Sequence, residues 1–332
     1  MKRWLKPLLL VVFSSLMVLV LAACGGKEEL KTVKVGEVTR SIFYAPLYVA
    51  IEKGYFEEEG LKIELSTIPG GDKTMTALLS DGIDVALVGA ETSIYVSAQG
   101  ANDPIKNFAQ LTQTDGTFLV SREPIENFTW DMLKDSTFLG QRKGGMPQMV
   151  GEYVLKQHGI DPHADLELIQ NIDFANISTA FASGTGDFVQ LFEPTASIFE
   201  AEGVGYIVAS FGTESGHVPY TVFMTKDSMI SSNPETIEAF TRAIKKAQDF
   251  VYSSSAEEVA KAIVPYFENT DVDLIATVVD RYRSQESYAK DPILDQEEWD
   301  NLQNIMDEAG ELPARIPYED LVNTTFADKV SK

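Results

Sequence analysis

A chain of 332 residues, 44% hydrophobic and 23% charged, with one cysteine, is too apolar for disorder and long enough for one large domain or two medium ones. Its formal charge of −23 counts against binding to nucleic acid or to an anionic membrane surface, because clustered Lys and Arg supply affinity for phosphate and the far field here repels it. With three basic and no acidic residues before Cys24, the remainder holds 24 basic against 50 acidic residues, a net of −26.

In chain order, Lys2, Arg3 and Lys6 precede an uncharged run from Leu8 to Ala23 that ends in Leu21-Ala22-Ala23-Cys24. A basic start, a short apolar centre and small residues at the end predict a secretory signal peptide over residues 1–23. The run is shorter than the roughly 20 residues that a membrane-spanning helix needs. Leu-Ala-Ala before the sole cysteine resembles the bacterial lipobox, which implies lipid attachment at Cys24 and anchorage on the outer face of the cytoplasmic membrane. That use of Cys24 leaves no disulfide, so the fold rests on apolar cores. Residues 24–31, CGGKEELK, read as a flexible tether.

From Thr32 onward, strand-like and helix-like segments alternate. Thr32 to Val38 reads as a strand, and Pro46 to Glu59 as a helix with Leu47, Ala50, Ile51 and Tyr55 on one face. Lys62 to Ile68 is the next strand, Gly70-Gly71-Asp72 opens a helix through Leu79, and Asp84 to Val88 is an apolar strand. The alternation resumes with strand Thr137 to Gly140, helix Pro147 to His158, strand Leu166 to Ile169, helix Asn176 to Ser183 and strand Phe188 to Phe192. Two runs of three βα units predict two small α/β lobes rather than one large sheet. Phe108 to Val120 and Tyr206 to Met224, extended and interrupted by Gly116 and Gly212, are the candidate crossovers. From Pro234 the pattern is helical, over Glu235 to Tyr252, Ala256 to Phe267, Val272 to Ser287 and Gln296 to Ala309, and such a tail most simply packs on the first lobe.

Enzymatic signatures are missing. His158, His163 and His217 lack zinc-ligand spacing, no nucleophile elbow or P-loop occurs, and Gly184 and Gly186 have no third glycine to complete a dinucleotide fingerprint. The sequence thus gives no reason to expect catalysis, a metal or a cofactor. Small and polar residues instead recur at the C-terminal ends of the expected parallel strands, where open α/β sheets bind ligands. Thr39, Arg40, Phe43 and Tyr44 follow the first strand, Gly70 to Asp72 the second, and Gly89 to Thr92 the third. In the second lobe the matching positions hold Gly144, Gly145, Met146 and Gln148, then Asp173 and Phe174, then Gln190 and Glu193-Pro194. Glycines ahead of a helix let a ligand reach the free N–H groups of its first turn.

The stretch from Ala45 to Leu61, APLYVAIEKGYFEEEGL, with LLSDGIDVA from Leu78 to Ala86 and the Glu193-Pro194 pair, resembles the solute-binding proteins of ABC importers for nitrate, aliphatic sulfonates, taurine and thiamine-related pyrimidines. The resemblance runs from about Thr32 to Met224. It implies an α/β fold of the type II periplasmic-binding-protein kind: a two-lobed clamp with two crossover strands and a C-terminal helical segment. One lobe is expected from residues 32–114 and 217–332, and the other from 115–216. Carried over, the binding positions are Phe43, Tyr44, Gly71, Asp72, Glu91, Thr92, Gln113, Asp115, Gly144, Met146, Gln148, Gln190 and Glu193. Expected partners are a small-molecule ligand and an ABC permease with its ATPase, and the clamp is expected to be monomeric.

The first loop, Arg40-Ser41-Ile42-Phe43-Tyr44, departs from the Trp-x-Pro-Asn stretch of the pyrimidine binders. Cleft-edge acids Asp72, Glu91, Asp115, Asp173 and Glu193 nevertheless outnumber Arg40, Arg142 and Lys143, which disfavours a bare anion. Phe43, Tyr44, Phe174, Phe192 and Tyr220 offer rings for stacking. The ligand reading is therefore a neutral or amine-bearing heterocycle such as a pyrimidine, with an aliphatic sulfonate, taurine or nitrate as the alternative. A ligand sensor for a membrane receptor, a pyrimidine synthase and a structural surface lipoprotein are the rival classes. Closure is expected about hinges near Gln113 to Gly116 and Gly212 to Gly216.

Overall fold

The computed structural model describes residues 29–268 and 270–332. The expected signal peptide and Cys24 lie outside the described residues. Ten strands, β1 (Lys31–Glu37), β2 (Leu61–Thr67), β3 (Val85–Val88), β4 (Ile105–Thr112), β5 (Thr117–Ser121), β6 (Thr137–Leu139), β7 (Glu167–Ile169), β8 (Phe188–Phe192), β9 (Tyr206–Ser210) and β10 (Thr221–Lys226), form two five-stranded sheets. Their orders are β2-β1-β3-β10-β4 and β7-β6-β8-β5-β9.

In the first sheet β1 pairs in parallel with β2 and β3, Val35 opposing both Leu65 and Val85, while β10 is antiparallel to β3 and β4. In the second, β6 is parallel to β7 and β8, and β5 is antiparallel to β8 and β9. Each sheet thus contains one strand of reversed direction, the strand that arrives from the other lobe. Helices cover both faces, and β3, Val-Ala-Leu-Val, is accordingly apolar on both sides and buried throughout.

Local chemistry moves several predicted boundaries. The first expected helix is two, Ala45–Glu52 and Tyr55–Glu58, because Gly54 sits in the left-handed region at φ 72° and breaks the run. Ala256–Ile263 stops early and continues as a 3-10 turn, Val264–Tyr266, because Pro265 supplies no N–H. Val272–Ser284 ends before Glu286, which has a φ of 55°. Helices Glu91–Ala98 and Thr195–Glu202 carry no clean stripe in the sequence. In Glu91–Ala98, residues Glu91 to Ile94 are all buried, so no polar face marks its period.

The tail packs on the first sheet as expected, then goes further. Helix Pro234–Ser253 lies on Ala45–Glu52, its Phe240 ring meeting Phe56, Phe108 and Phe223 at 4.9, 5.7 and 4.9 Å. Beyond it, Tyr282 donates to the Gly116 carbonyl at 2.7 Å, and Arg281 pairs with Glu193 of the second lobe. Helix Gln296–Glu308 packs on Glu91–Ala98 of the first lobe and on Met146–Gln157 of the second. It buries Trp299, Leu302, Ile305 and Met306 along one stripe.

Candidate functional site

Between the lobes lies a cleft of about 470 Å³, walled by strand ends and helix starts of both sheets. The first lobe contributes Tyr44, Gly70 to Asp72, Gly89, Glu91 and Thr92, and the second contributes Gln141 to Pro147 with Phe174 and Phe192; Tyr220 comes from the second crossover. Aromatic rings make one wall, with Phe192 at 6.0 Å from Phe174 and 6.4 Å from Tyr220 between centroids.

At the bottom, Glu91 opens helix Glu91–Ala98 and is only 3% exposed. Its carboxyl occupies the space where a side chain at position 89 would begin: a Cβ on Gly89 would stand 2.0 Å from Glu91 Oε2. Oε1 accepts from the Met146 N–H of the opposite lobe at 3.3 Å, while Oε2 is buried with no hydrogen-bond partner. Burial pushes this carboxyl up to about 8, with only backbone N–H groups opposing the shift. Gln141 lies in the same wall, its Nε2 donating to the Gln190 carbonyl at 2.6 Å and its Oε1 buried without a partner.

At the mouth, Arg142 of the second lobe pairs with Asp72 of the first at 2.8 Å, with their side chains 40% and 57% exposed. Lys143 lines the same rim, whereas Arg40 turns away to pair with Glu37 at 2.8 Å. Two further contacts join the lobes: Ser41 Oγ donates to the Glu193 carbonyl at 2.6 Å, and the Tyr95 hydroxyl meets Met149 Sδ at 3.7 Å.

Of the residues expected from sequence, Tyr44, Gly71, Asp72, Glu91, Thr92, Gly144 and Met146 line this cleft. The others stand behind it. Phe43 is fully buried beside the first crossover, its ring where a side chain at Gly116 would begin, 2.8 Å away, and 5.1 Å from Tyr282. Gln113 donates to the Glu286 carbonyl at 2.9 Å. Asp115 is fully buried, its Oδ1 accepting from the Thr117 N–H at 2.5 Å, and burial pushes its carboxyl up to about 6. Asp115 and the Tyr220 hydroxyl influence each other's ionisation, yet neither Oδ2 nor that hydroxyl makes a well-formed hydrogen bond.

Gln148 accepts from the Gly144 N–H at 2.9 Å and donates to Glu152 at 2.8 Å. Gln190 donates to Thr117 Oγ1 and the Pro147 carbonyl, both at 2.8 Å. Glu193 holds Arg281, together with the Ser197 N–H at 2.9 Å and hydroxyl at 2.8 Å. Gln113, Asp115 and Glu193 follow strands, whereas Gln148 lies in helix Met146–Gln157 and Gln190 within β8, and their polar side chains are spent on neighbouring backbone and side-chain groups.

Sequence reasoning missed Met75, Tyr95, Gln99 and Gln141. A signal was present: Gly71, Met75 and Leu79, like Glu91, Tyr95 and Gln99, recur at i, i+4 and i+8, and each trio faces the cleft from one side of its helix. Among the described residues no cluster of metal-ligating side chains occurs, and no helix is long and apolar enough to cross a membrane.

The model of the NMT1-like family matches residues 26–264. A protein of Bacillus subtilis (strain 168) named "Putative binding protein YtlA" is 62% identical over 331 residues, covering 100% of this chain and 99% of that one. A 4-amino-5-hydroxymethyl-2-methylpyrimidine phosphate synthase of Aspergillus parasiticus is 27% identical over 268 residues, 74% of this chain and 72% of that one. The alkanesulfonate-binding protein SsuA from Xanthomonas axonopodis pv. citri superposes with a TM-score of 0.70 at 17% identity, over 90% of this chain and 99% of that one. The last is a likeness of fold, the two-lobed clamp with a pair of crossovers described above.

Proposed function

The chain belongs to the NMT1-like family, and from that premise we propose that it is the solute-binding protein of an ABC importer, capturing a small organic molecule between its lobes and handing it to a permease and its ATPase. It is read as a binding protein and not as an enzyme: the relative that is 62% identical over the whole chain bears the name of a binding protein, and Cys24 is the sole cysteine in the sequence. Export by the signal peptide and acylation of Cys24 would hold a monomeric clamp at the outer face of the cytoplasmic membrane.

The ligand reading is an amine-bearing or neutral heterocycle such as a pyrimidine, and one observation carries it. Glu91 lines an aromatic-walled cleft and has a buried oxygen with no hydrogen-bond partner. A flat ring gains from stacking on those walls, and its N–H groups satisfy acceptors that otherwise remain buried and unpaired. The pyrimidine-synthase relative is in keeping with such a ring. A sulfonate of the kind bound by the structural neighbour gains most from cations, and those at the rim are Lys143 and an Arg142 already paired with Asp72.

Thermal unfolding of the purified protein with 4-amino-5-hydroxymethyl-2-methylpyrimidine, an alkanesulfonate, taurine and nitrate in turn tests this. A ligand at 100 times its Kd adds about 2.7 kcal/mol to stability and raises the midpoint. The expected result is a rise with the pyrimidine alone. A rise with the sulfonate or nitrate and none with the pyrimidine overturns the ligand class.

A further inference from the structure

We propose that Glu91 receives the solute as a neutral carboxylic acid, Oε2–H donating and Oε1 accepting, so that the cleft selects heterocycles with an amidine-like edge, a ring nitrogen beside an exocyclic amine. The inference deepens the reading of the cleft as a heterocycle site and rests on it.

The geometry leaves Glu91 with little support for a negative charge. An ionised carboxylate offers about four acceptor positions, yet the hydrogen bond that reaches this one from another residue is the Met146 N–H at 3.3 Å. The groups around it do not supply the rest. On its own helix stands Tyr95, and beyond that ring Glu311. From the turn after β1 comes Tyr44, which also feels Glu37, and from the second crossover Tyr220 with Asp115 behind it. These are hydroxyls or acids. The cations facing the cleft, Arg142 and Lys143, stand at its rim, with Arg142 committed to Asp72, and neither offsets the burial of Glu91. A buried charge without a partner is the more expensive state. The group therefore keeps its proton at neutral pH, in line with its upward displacement to about 8.

A neutral acid has a shape that a carboxylate lacks. Its O–H matches the lone pair of a ring nitrogen, and its carbonyl oxygen matches an adjacent N–H, so one ligand edge makes two hydrogen bonds. No proton leaves the site when it does so. Oε1 has a second lone pair beside the one used by Met146, and Oε2 is the unpartnered atom. Gln141, which lines the same cleft and has a buried Oε1 without a partner, accepts from a further N–H or hydroxyl on the ring. An ionised carboxylate would instead face the ring nitrogen with like lone pairs, and an oxoanion would face acceptors.

The test is isothermal titration of the full-length chain, in wild-type, Glu91→Gln and Glu91→Ala forms, with 4-amino-5-hydroxymethyl-2-methylpyrimidine across a pH series. In the wild type, affinity falls about tenfold per pH unit once the pH exceeds about 8 and the free acid ionises. Glutamine presents the same donor and acceptor pair as the neutral acid, so Glu91→Gln stays within about threefold of wild type at neutral pH and loses the alkaline fall, whereas Glu91→Ala weakens by about 100-fold. A Gln variant as weak as the Ala variant, or wild-type affinity that rises through pH 8, overturns the neutral acid while leaving the heterocycle site intact. Binding of an alkanesulfonate or nitrate in place of the pyrimidine overturns both.

Discussion

Two oxygens and a missing side chain set the character of the cleft floor. A Cβ at position 89 would displace the Glu91 carboxyl, so Gly89 leaves that carboxyl the place it holds. Glu91 in turn makes the unliganded protein sensitive to pH. Its folded-state pKa is raised to about 8 against an ordinary 4.5, so the unfolded chain loses this proton first. Stability from this residue is present below about pH 4.5, falls as the pH rises through the window, and is gone above pH 8. Urea unfolding of unliganded wild-type and Glu91→Gln proteins at both ends of that window should show the variant gaining on the wild type by a few kcal/mol at the alkaline end, and an unchanged difference would refute the burial argument. At this scale the sequence was legible in part. Glu91, Thr92, Gly71 and Asp72 come after strands and line the cleft, but Gln113 comes after a strand too, Gln148 lies in the helix after β6 and Gln190 within β8, and all three spend their amides on neighbouring groups. Position after a strand says where a backbone lies; which way an amide turns depends on neighbours distant in the chain.

Helix Val272–Ser284 serves as a strut against the first crossover and the second lobe. Arg281 reaches the fully buried Glu193 carboxyl and lies over the Phe118 ring at 5.3 Å, and Tyr282 holds the Gly116 carbonyl. Burial raises the Glu193 pKa, and Arg281 is the largest influence pulling it back. Arg281→Ala should therefore destabilise the protein by about 2–3 kcal/mol in denaturant, less than for a fully enclosed pair because the guanidinium is still partly in water. Adding Glu193→Gln should recover part of the loss, and a variant as stable as wild type would remove the strut. Helices with a clear stripe, such as Pro234–Ser253, were readable from the sequence to within a residue or two. Glu91–Ala98 was not, because a helix buried on most sides has no polar face to mark its period.

Over the whole molecule, the Asp72–Arg142 pair ties lobe to lobe across the cleft mouth. Its side chains are too exposed for the pair to add much to stability, so Arg142→Ala should change unfolding free energy by less than about 1 kcal/mol. The same change should speed ligand release, and stopped-flow dissociation at an unchanged rate would show that the pair plays no part in closure. The two lobes and their crossovers could be read from alternating strands and helices, whereas the tail's reach across both could not, since it depends on the packing of Trp299 and Met306 against helices far away in sequence. The reversed strand of the first sheet carries a further consequence, for synthesis. The strands of the second sheet are contiguous, from Thr117 to Ser210, whereas β3 must wait for β10, at Thr221–Lys226, to cover one of its edges. While the 132 residues between Val88 and Thr221 are made, Val-Ala-Leu-Val offers an open apolar edge of the kind that recruits other chains. Truncation products ending in that interval should accumulate as aggregates, and a chaperone that shields nascent strands has its task defined by four residues.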